Sequence, residues 1–218
     1  MPPPACLLPI EIENVDLATF GHYGIVCPPE IARSVPVRRV EFLYGRLAAA
    51  NALAALGIEV FEVRVGPSRA PLWPPGIIGS ITHNRRYAAA VALHSGHYSG
   101  VGIDVETVGD ADGEQAMLQL VVSPAEADYL RSLSTEIPFA TLLTIVFSAK
   151  ESLFKAAFNS VGRFFDFSAA RVSMIDVDAG FVLLVMQETL SKDFQKADIF
   201  KVHVDFICDD TVVTSFVW

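Results

Sequence analysis

Two acidic residues at the end of an apolar run are the strongest sign of chemistry in this sequence. Asp104 and Glu106 are separated by one valine and close the run from Val101 to Val105, which is typical of a buried strand. Because side chains at i and i+2 share one face of a strand, their Cα atoms would lie roughly 6–7 Å apart and both carboxylates would point the same way. Two unpaired carboxylates repel one another and are costly to bury. A hard divalent cation removes that cost, so the pair predicts an Mg²⁺ site with positions open for phosphate and water.

A second polar pattern lies on a predicted helix. Ser148, Glu151 and Lys155 are spaced i, i+3 and i+7, which places them on one stripe of an otherwise apolar helix. A narrow polar stripe of this kind is more typical of a helix face turned to a site or groove than of a solvated one. Lys150 falls off the stripe, and a surface or salt-bridged lysine is as good an interpretation of it as a substrate contact.

A third group of candidates is basic. His83 follows a predicted strand, where a structural hydrogen bond is the alternative to ligand binding. Arg39, Arg46 and Arg69 lie upstream, and their alternative is ordinary solvation on a helix or loop. Arginine suits phosphate because its planar guanidinium bonds two phosphate oxygens at once. These residues therefore leave room for a local phosphate site, with the structural alternatives still open.

Together these stretches resemble the signature of the 4'-phosphopantetheinyl transferases. The chain carries Gly-Ser-Ile-Thr-His at 79–83, Gly-Ile-Asp-Val-Glu at 102–106 and Phe-Ser-Ala-Lys-Glu-Ser-Leu-Phe-Lys-Ala at 147–156. Residues 38–46 and 69–74 are similar to the Sfp-type members closest to enterobactin synthase component D. Five motifs in the family's order and spacing are specific, whereas one alone would be weak. One departure is Phe in place of the Trp that many relatives carry before the Ser of the third motif, which keeps a large apolar anchor.

The resemblance implies a role for each candidate. It implies Mg²⁺, which Mn²⁺ can replace, bound by Asp104, Glu106 and Glu151. Coenzyme A, the donor substrate, is expected to contact Arg39, Arg46, Arg69, Thr82, His83 and Lys155. Catalytic roles are implied for Glu151, Lys155 and His83.

The reaction that the resemblance implies is the transfer of 4'-phosphopantetheine from coenzyme A to a serine of an acyl or peptidyl carrier protein, with adenosine 3',5'-bisphosphate released. The base is either Glu151 or a metal-bound water that it positions. Such enzymes serve the biosynthesis of secondary metabolites or siderophores. Two alternatives remain: an Mg²⁺-dependent nucleotide phosphohydrolase, and a non-catalytic module that binds carrier proteins. Three converging acids argue against the binding module, because binding alone does not require them.

The composition limits the possible functions. The 218 residues carry a net charge of −9, but residues 1–103 hold eight Arg, no Lys and seven acidic residues, so most of the negative charge comes later. This balance argues against general nucleic-acid binding and leaves room for a local phosphate site. The apolar runs are too short to span a membrane. Three cysteines without metal-ligand spacing and a start without a basic leader predict a reduced, cytoplasmic protein, expected to be a monomer.

Helical and strand patterns in both parts of the chain predict an α+β fold. A helix is predicted from Pro36, which suits a first helical turn. Residues 77–82, 87–93 and 101–106 are then predicted to be three strands of one sheet. The resembled family is built as two similar α+β halves related by a pseudo-twofold axis, with the active site between them.

The later part begins with an acidic, Gly-containing stretch at 107–115, which is predicted to be a loop. Ser123 and Glu126 form a capping box that starts a helix, and a longer helix is predicted from Pro138 to about Asn159. Four strands joined by hairpin turns follow. The two predicted halves are 1–106 and 107–218.

Overall fold

The chain folds into helices and antiparallel sheets in both of its parts. The computed structural model describes residues 2–12, 14–59, 61–109 and 111–218. The first part contains β1 (Ala5–Pro9), α1 (Leu17–His22), α2 (Pro29–Ala32), α3 (Pro36–Ala54), β2 (Arg64–Val65), β3 (Pro71–Leu72), β4 (Ile77–His83) and β5 (Tyr87–His94). The later part contains β6 (Val101–Thr107), α4 (Ala111–Leu120), α5 (Pro124–Leu133), α6 (Phe139–Val161), β7 (Ala170–Asp176), β8 (Phe181–Met186), β9 (Ile199–Cys208) and β10 (Thr211–Val217). The predicted α+β class is confirmed.

Strand pairing departs from the sequence prediction at β6. One sheet has the order β1-β5-β4 and a second has the order β6-β10-β9-β8-β7, while β2 and β3 form a short pair. The prediction that residues 77–82, 87–93 and 101–106 share one sheet is therefore wrong for the third strand. Both edges of β5 are occupied by β1 and β4, and β6 forms its ladder with β10. The division of the chain into halves 1–106 and 107–218 stays a prediction. β6 lies almost wholly in the first of these halves, but it is hydrogen-bonded to β10 of the second.

Each of the two larger sheets is covered by a long helix. On α3, Leu53 and small residues such as Ala48 pack against Ala90 of β5. The more apolar α6 packs against β6 and β10. A smaller apolar layer that includes Val91 of β5 and Ile103 of β6 joins the two sheets. In the described part of the chain, no helix combines the length and the apolarity that a membrane crossing requires.

In the later part, the helix start predicted at Ser123 is confirmed, and the loop predicted over 107–115 is partly wrong. Ser123 caps α5: its hydroxyl accepts from the Glu126 N–H, and the Glu126 carboxylate accepts from the Ser123 N–H. The loop predicted over 107–115 is wrong from Ala111 onward, where α4 begins, and Asp110 lies outside the described residues. Residues 114–120 are strong helix formers, and Met117 and Leu118 of α4 pack against the core under α6, so the weak helix formers Asp112 and Gly113 do not prevent the helix.

A glycine lets α6 lie close to β6. A Cβ at Gly102 would collide with the Ser152 carbonyl oxygen, so a larger residue there would push the helix away. Gly102, Asp104 and Glu106 alternate along β6 and share the face turned to α6. The close approach therefore brings both acids within reach of polar side chains on the helix.

Candidate active site

Asp104 lies at the centre of the candidate site, and only one of its two oxygens is satisfied. Its side chain is 3% exposed, and its Oδ1 accepts hydrogen bonds from Lys155 Nζ at 2.6 Å and from the Thr82 hydroxyl at 3.0 Å. Its Oδ2 is buried and has no hydrogen-bond partner among the described residues. Because a buried carboxylate oxygen without a partner is costly, this atom marks a place where a cation would be stabilised.

Two further carboxyl groups share the same positive neighbour. Burial raises the pKa of Glu106 to about 8, and the negative charges of Asp104 and Glu151 add to the rise while Lys155 opposes it. Burial likewise raises the pKa of Glu151, with Lys155 lowering it and Asp104 raising it. Three acids therefore surround one lysine, and the raised pKa values follow because Lys155 alone cannot neutralise all three acids when they are ionised.

The acids fit a divalent cation without forming a finished metal site. Across the described ranges, no group of three or more His, Cys, Asp or Glu side chains is arranged to hold a metal ion. Binding of Mg²⁺ by Asp104, Glu106 and Glu151 therefore stays a prediction. Its support is the donor chemistry: three acids with hard oxygen donors share one lysine, and Asp104 Oδ2 has no hydrogen-bond partner among the described residues.

α6 supplies Glu151 and Lys155 to this site but not Ser148. Lys155 also donates to a backbone carbonyl of β6 at 3.1 Å. The buried hydroxyl of Ser148 instead lies 2.9 Å from that of Thr214 on β10, so the expectation that the whole stripe faces one site is wrong. The reason is helical rise: at 1.5 Å per residue, Ser148 and Lys155 lie about 10 Å apart along the axis and reach different strands.

Lys150 has a structural partner. Its buried Nζ lies 2.9 Å from Glu126 Oε1 and donates to the Val121 carbonyl at 2.8 Å. The same Glu126 oxygen accepts from the Val172 N–H, and its Oε2 accepts from the Ser123 N–H, each at 2.8 Å. Of the two interpretations left open for Lys150, the salt bridge is therefore the correct one.

A basic cleft of about 500 Å³ lies beside the acids, bordered by α3. Its charged or titratable lining includes Arg38, Arg46, Arg69, His83, Glu30 and Glu41. The guanidinium carbon of Arg46 lies 4.5 Å from the centroid of the Phe42 ring, and its buried Nε has no hydrogen-bond partner in the described part of the chain. Burial, and then the charge of Arg38, lowers the pKa of Arg46 to about 10, so the group is still charged at neutral pH. An anionic ligand would supply the missing acceptor.

Two cleft residues that the sequence analysis did not select, Arg38 and Glu41, contact His83. Arg38 Nη1 lies 3.0 Å from His83 Nε2 and 3.1 Å from Glu41 Oε2. Because arginine can only donate, Nε2 accepts and the neutral imidazole carries its proton on Nδ1. Burial is the main reason why the pKa of His83 is lowered, in keeping with a neutral ring. Arg38, Glu41 and Gly45 line the cleft at i, i+3 and i+7, the spacing that could have identified the two charged residues.

Arg39 and Arg69, both predicted phosphate contacts, lie in different surroundings. Arg39 donates to the Val15 carbonyl at 2.9 Å and to the Ser34 carbonyl at 3.1 Å, so its guanidinium fastens the segments that precede α3. It is not among the described residues that line the cleft. Arg69 lines both the cleft and a neighbouring cavity of about 230 Å³ that reaches Lys155. Arg69 therefore borders the space that leads from the basic cleft to Lys155.

Family models match most of the chain. One described as the 4'-phosphopantetheinyl transferase N-terminal domain matches residues 28–93, and one described as the 4'-phosphopantetheinyl transferase superfamily matches residues 100–214. The second match begins just before β6 and includes all of α6. The acids and lysine of the site therefore lie inside it, and the basic cleft lies within the first match.

Individual relatives agree with the family models. The 4'-phosphopantetheinyl transferase Svp of Streptomyces mobaraensis is 37% identical over 151 residues, which cover 69% of this chain and 60% of Svp. The 4'-phosphopantetheinyl transferase Npt of Nocardia iowensis is 32% identical over 170 residues, which cover 77% of this chain and 74% of Npt. Enterobactin synthase component D of Salmonella typhi is 32% identical over 150 residues, which cover 67% of this chain and 61% of component D. The chain thus spans about three fifths of the length of Svp and of component D.

Proposed function

Because the chain belongs to the 4'-phosphopantetheinyl transferase superfamily, we propose that it transfers the 4'-phosphopantetheine group of coenzyme A to a serine of an acyl or peptidyl carrier protein. The observation that carries this proposal is the buried Oδ2 of Asp104, which has no hydrogen-bond partner among the described residues and lies near a basic cleft. A cleft lined by arginines suits a ligand with several phosphates. An acid with an unused oxygen suits chemistry on such a ligand, because a charge that only stabilised the fold would be fully hydrogen-bonded.

Different residues of the cleft and the neighbouring cavity would contact different parts of coenzyme A. Arg46, whose buried Nε has no hydrogen-bond partner among the described residues, would hold the 3'-phosphate. Arg69 and His83 line the same space and would meet the diphosphate, which would then lie towards Lys155. Beyond Lys155, the neighbouring cavity is bordered by aromatic side chains of α6 and the loop after it, a surface suited to the mostly apolar pantetheine arm.

In the proposed step, the serine oxygen forms a bond to the β-phosphorus, and the bond from that phosphorus to the bridging oxygen breaks. The bridging oxygen keeps the electron pair and leaves as part of adenosine 3',5'-bisphosphate, while the serine proton passes to Glu151. Burial raises the pKa of Glu151, and a carboxylate that binds a proton more tightly is a stronger base. Lys155 lies next to the acids and would stabilise the charge that grows on the phosphate oxygens.

Asp104, Glu106 and Glu151 would hold Mg²⁺ or Mn²⁺, which when bound supplies positive charge to the diphosphate. Asp104 presents its free Oδ2 for this purpose while Lys155 and Thr82 hold its other oxygen. Glu106 would join the ligand set as a carboxylate, having lost its proton, because a carboxylic acid is a poor metal ligand.

The carrier protein would be recognised largely through apolar contact. Carrier proteins are acidic helical bundles, and this chain is acidic as well, so long-range attraction between them is weak. Phe164 is 67% exposed and stacks against Phe154 of α6, next to the cavity that reaches Lys155. The carrier serine would approach Lys155 past this aromatic surface.

The test is incubation with coenzyme A, Mg²⁺ and a panel of apo carrier proteins from fatty-acid, polyketide and siderophore synthases. We expect the intact mass of at least one carrier to increase by one phosphopantetheine, at its serine. A carrier-free control follows the release of adenosine 3',5'-bisphosphate. Release without a carrier would show a phosphohydrolase, and binding of carriers without any mass gain would show a binding module; either result contradicts the proposal.

A further inference from the structure

β4 and β6 lie side by side, but side chains rather than backbone ladders connect them. The polar residues of this seam alternate along β4 and just beyond it, and each one bonds to the residue 23 positions later. The Ser80 hydroxyl accepts from the Ile103 N–H at 3.2 Å, the Thr82 hydroxyl accepts from the Val105 N–H at 3.3 Å, and Asn84 Nδ2 donates to the Thr107 hydroxyl at 3.1 Å. A constant separation means that the two segments run parallel. We call these three contacts the β4–β6 seam.

Thr82 differs from the other seam residues because it also contacts an acid. Its hydroxyl donates to Asp104 Oδ1 at 3.0 Å while it accepts from the Val105 N–H. A hydroxyl has one proton to donate, so this proton is committed to the carboxylate. With Lys155 on the same Oδ1 at 2.6 Å, two donors hold one oxygen and leave Oδ2 free.

We infer that Thr82 is a positioning residue that fixes the Asp104 carboxylate for binding of a divalent cation, an inference that rests on the cation site proposed above. Groups that hold a ligating carboxylate by hydrogen bonds tune its affinity for the metal. The family resemblance implies instead that Thr82 contacts coenzyme A directly. A phosphate oxygen needs a donor, and the Thr82 hydroxyl could become one only by releasing Asp104.

The test compares Thr82→Val with two companions. Thr82→Val removes the hydroxyl with little change of shape, Thr82→Ser keeps it, and Ser80→Ala removes the neighbouring seam hydroxyl, which does not contact a carboxylate in the described hydrogen bonds. Binding of Mn²⁺ is measured from the electron paramagnetic resonance signal of the free ion, with saturating coenzyme A and no carrier protein. Thermal midpoints are measured on the same samples.

We expect Thr82→Val to weaken Mn²⁺ binding about 10–100-fold. Thr82→Ser should restore most of the affinity, and Ser80→Ala should change it by less than about twofold, because Ser80 holds backbone rather than Asp104. The midpoints of Thr82→Val and Ser80→Ala should fall by similar amounts, since each leaves one buried N–H without a partner. Coenzyme A binding in a chelator should be unchanged in Thr82→Val.

Each other outcome overturns the inference. Wild-type Mn²⁺ affinity in Thr82→Val would show that the hydroxyl does not position Asp104. Equal losses in Thr82→Val and Ser80→Ala would assign the effect to the seam as a whole. Weaker coenzyme A binding in the chelator would make Thr82 a direct ligand. A wild-type protein that binds no Mn²⁺ would contradict the cation site itself, which distinguishes failure of the proposed function from failure of this inference alone.

Discussion

α6 supplies the lysines of two lysine–carboxylate pairs, whose acids lie on β6 and α5 and are similarly buried but differently hydrogen-bonded. Asp104 is 2% exposed and Glu126 is 4% exposed. In the Lys150–Glu126 pair, both carboxylate oxygens have donors. In the Lys155–Asp104 pair, one oxygen has two donors and the other has none among the described residues. Completeness of hydrogen bonding, rather than burial, therefore separates the pair that stabilises the fold from the pair with capacity to bind.

The electrostatics of the two regions differ in the same way. Burial alone would raise the pKa of Glu126, but Lys150 and the backbone donors of Ser123 and Val172 lower it below its usual value. Burial raises the pKa of Glu106 to about 8, and the acids around it outweigh Lys155. Glu126 is therefore held as a carboxylate beside Lys150, whereas a cation would stabilise the ionised forms of the acids around Lys155.

The largest effect on transfer is expected from a change in the Lys155–Asp104 pair. Asp104→Asn keeps the shape of the side chain but removes the anionic oxygens, so transfer to a carrier protein should fall by about a thousandfold or more. The thermal midpoint should change little, because the substitution also removes repulsion with Glu106 and Glu151. Retained transfer would remove Asp104 from the reaction, and a collapsed midpoint would give it a structural role.

A change in the Lys150–Glu126 pair should lower stability and leave transfer intact. Glu126→Gln leaves the Lys150 ammonium buried without its counter-charge and should lower the free energy of unfolding by about 3–5 kcal/mol. Urea unfolding measures this change, and transfer per folded molecule should stay near the wild-type rate. Unchanged stability, or lost transfer in a fully folded variant, would contradict the distinction between the two pairs.

A smaller effect should separate binding of coenzyme A from chemistry. Arg46→Ala should raise the KM for coenzyme A by the equivalent of about 1.5–3 kcal/mol, because a charge-assisted contact to the 3'-phosphate is lost. With 3'-dephospho-coenzyme A as donor the penalty should nearly vanish, since the partner is already gone. Lys155→Ala, the matched contrast, should lower kcat more than it raises KM. Equal penalties for Arg46→Ala with both donors would make Arg46 a structural residue of α3.

The smallest effect concerns stability and pH in the metal-free protein. Glu106 has a pKa of about 8 when folded against an ordinary value of 4.5, so between these values the folded state binds more protons than the unfolded state. The free energy of unfolding should therefore fall as pH rises through this window, by about 1–2 kcal/mol after allowance for partial exposure. Glu106→Gln should flatten the dependence, as measured by urea unfolding in a chelator at pH 5, 6.5 and 8. Parallel curves for the two proteins would contradict the raised pKa.

Local patterns explain which parts of the site could be predicted from sequence. Strand alternation was enough to place Asp104 beside Glu106, and helical spacing was enough to place Glu151 beside Lys155. The same spacing test on α3 would have identified Arg38 and Glu41 as well.

Contacts set by tertiary packing could not be predicted in this way. The partner of Lys150 is a capping residue of another helix, and nothing in the local pattern distinguishes Glu126 from any other first-turn acid. The sheet to which β6 belongs is decided by the strands that occupy the edges of β5, and the seam role of Thr82 follows from that arrangement. The hydrogen bond from Arg39 to the Val15 carbonyl likewise depends on a segment distant in sequence.

The most direct test of the central claim, that the arginine cleft binds coenzyme A while the acids around Lys155 act with a cation in the chemical step, is to measure both activities in the same chelated samples. Removal of divalent ions should reduce transfer to the carrier protein by about a hundredfold or more, because charge stabilisation at the phosphate is lost. The Kd for coenzyme A should rise by less than about tenfold, because the arginine contacts remain. Transfer that continues in the chelator, or that falls only in proportion to lost coenzyme A binding, would contradict the account.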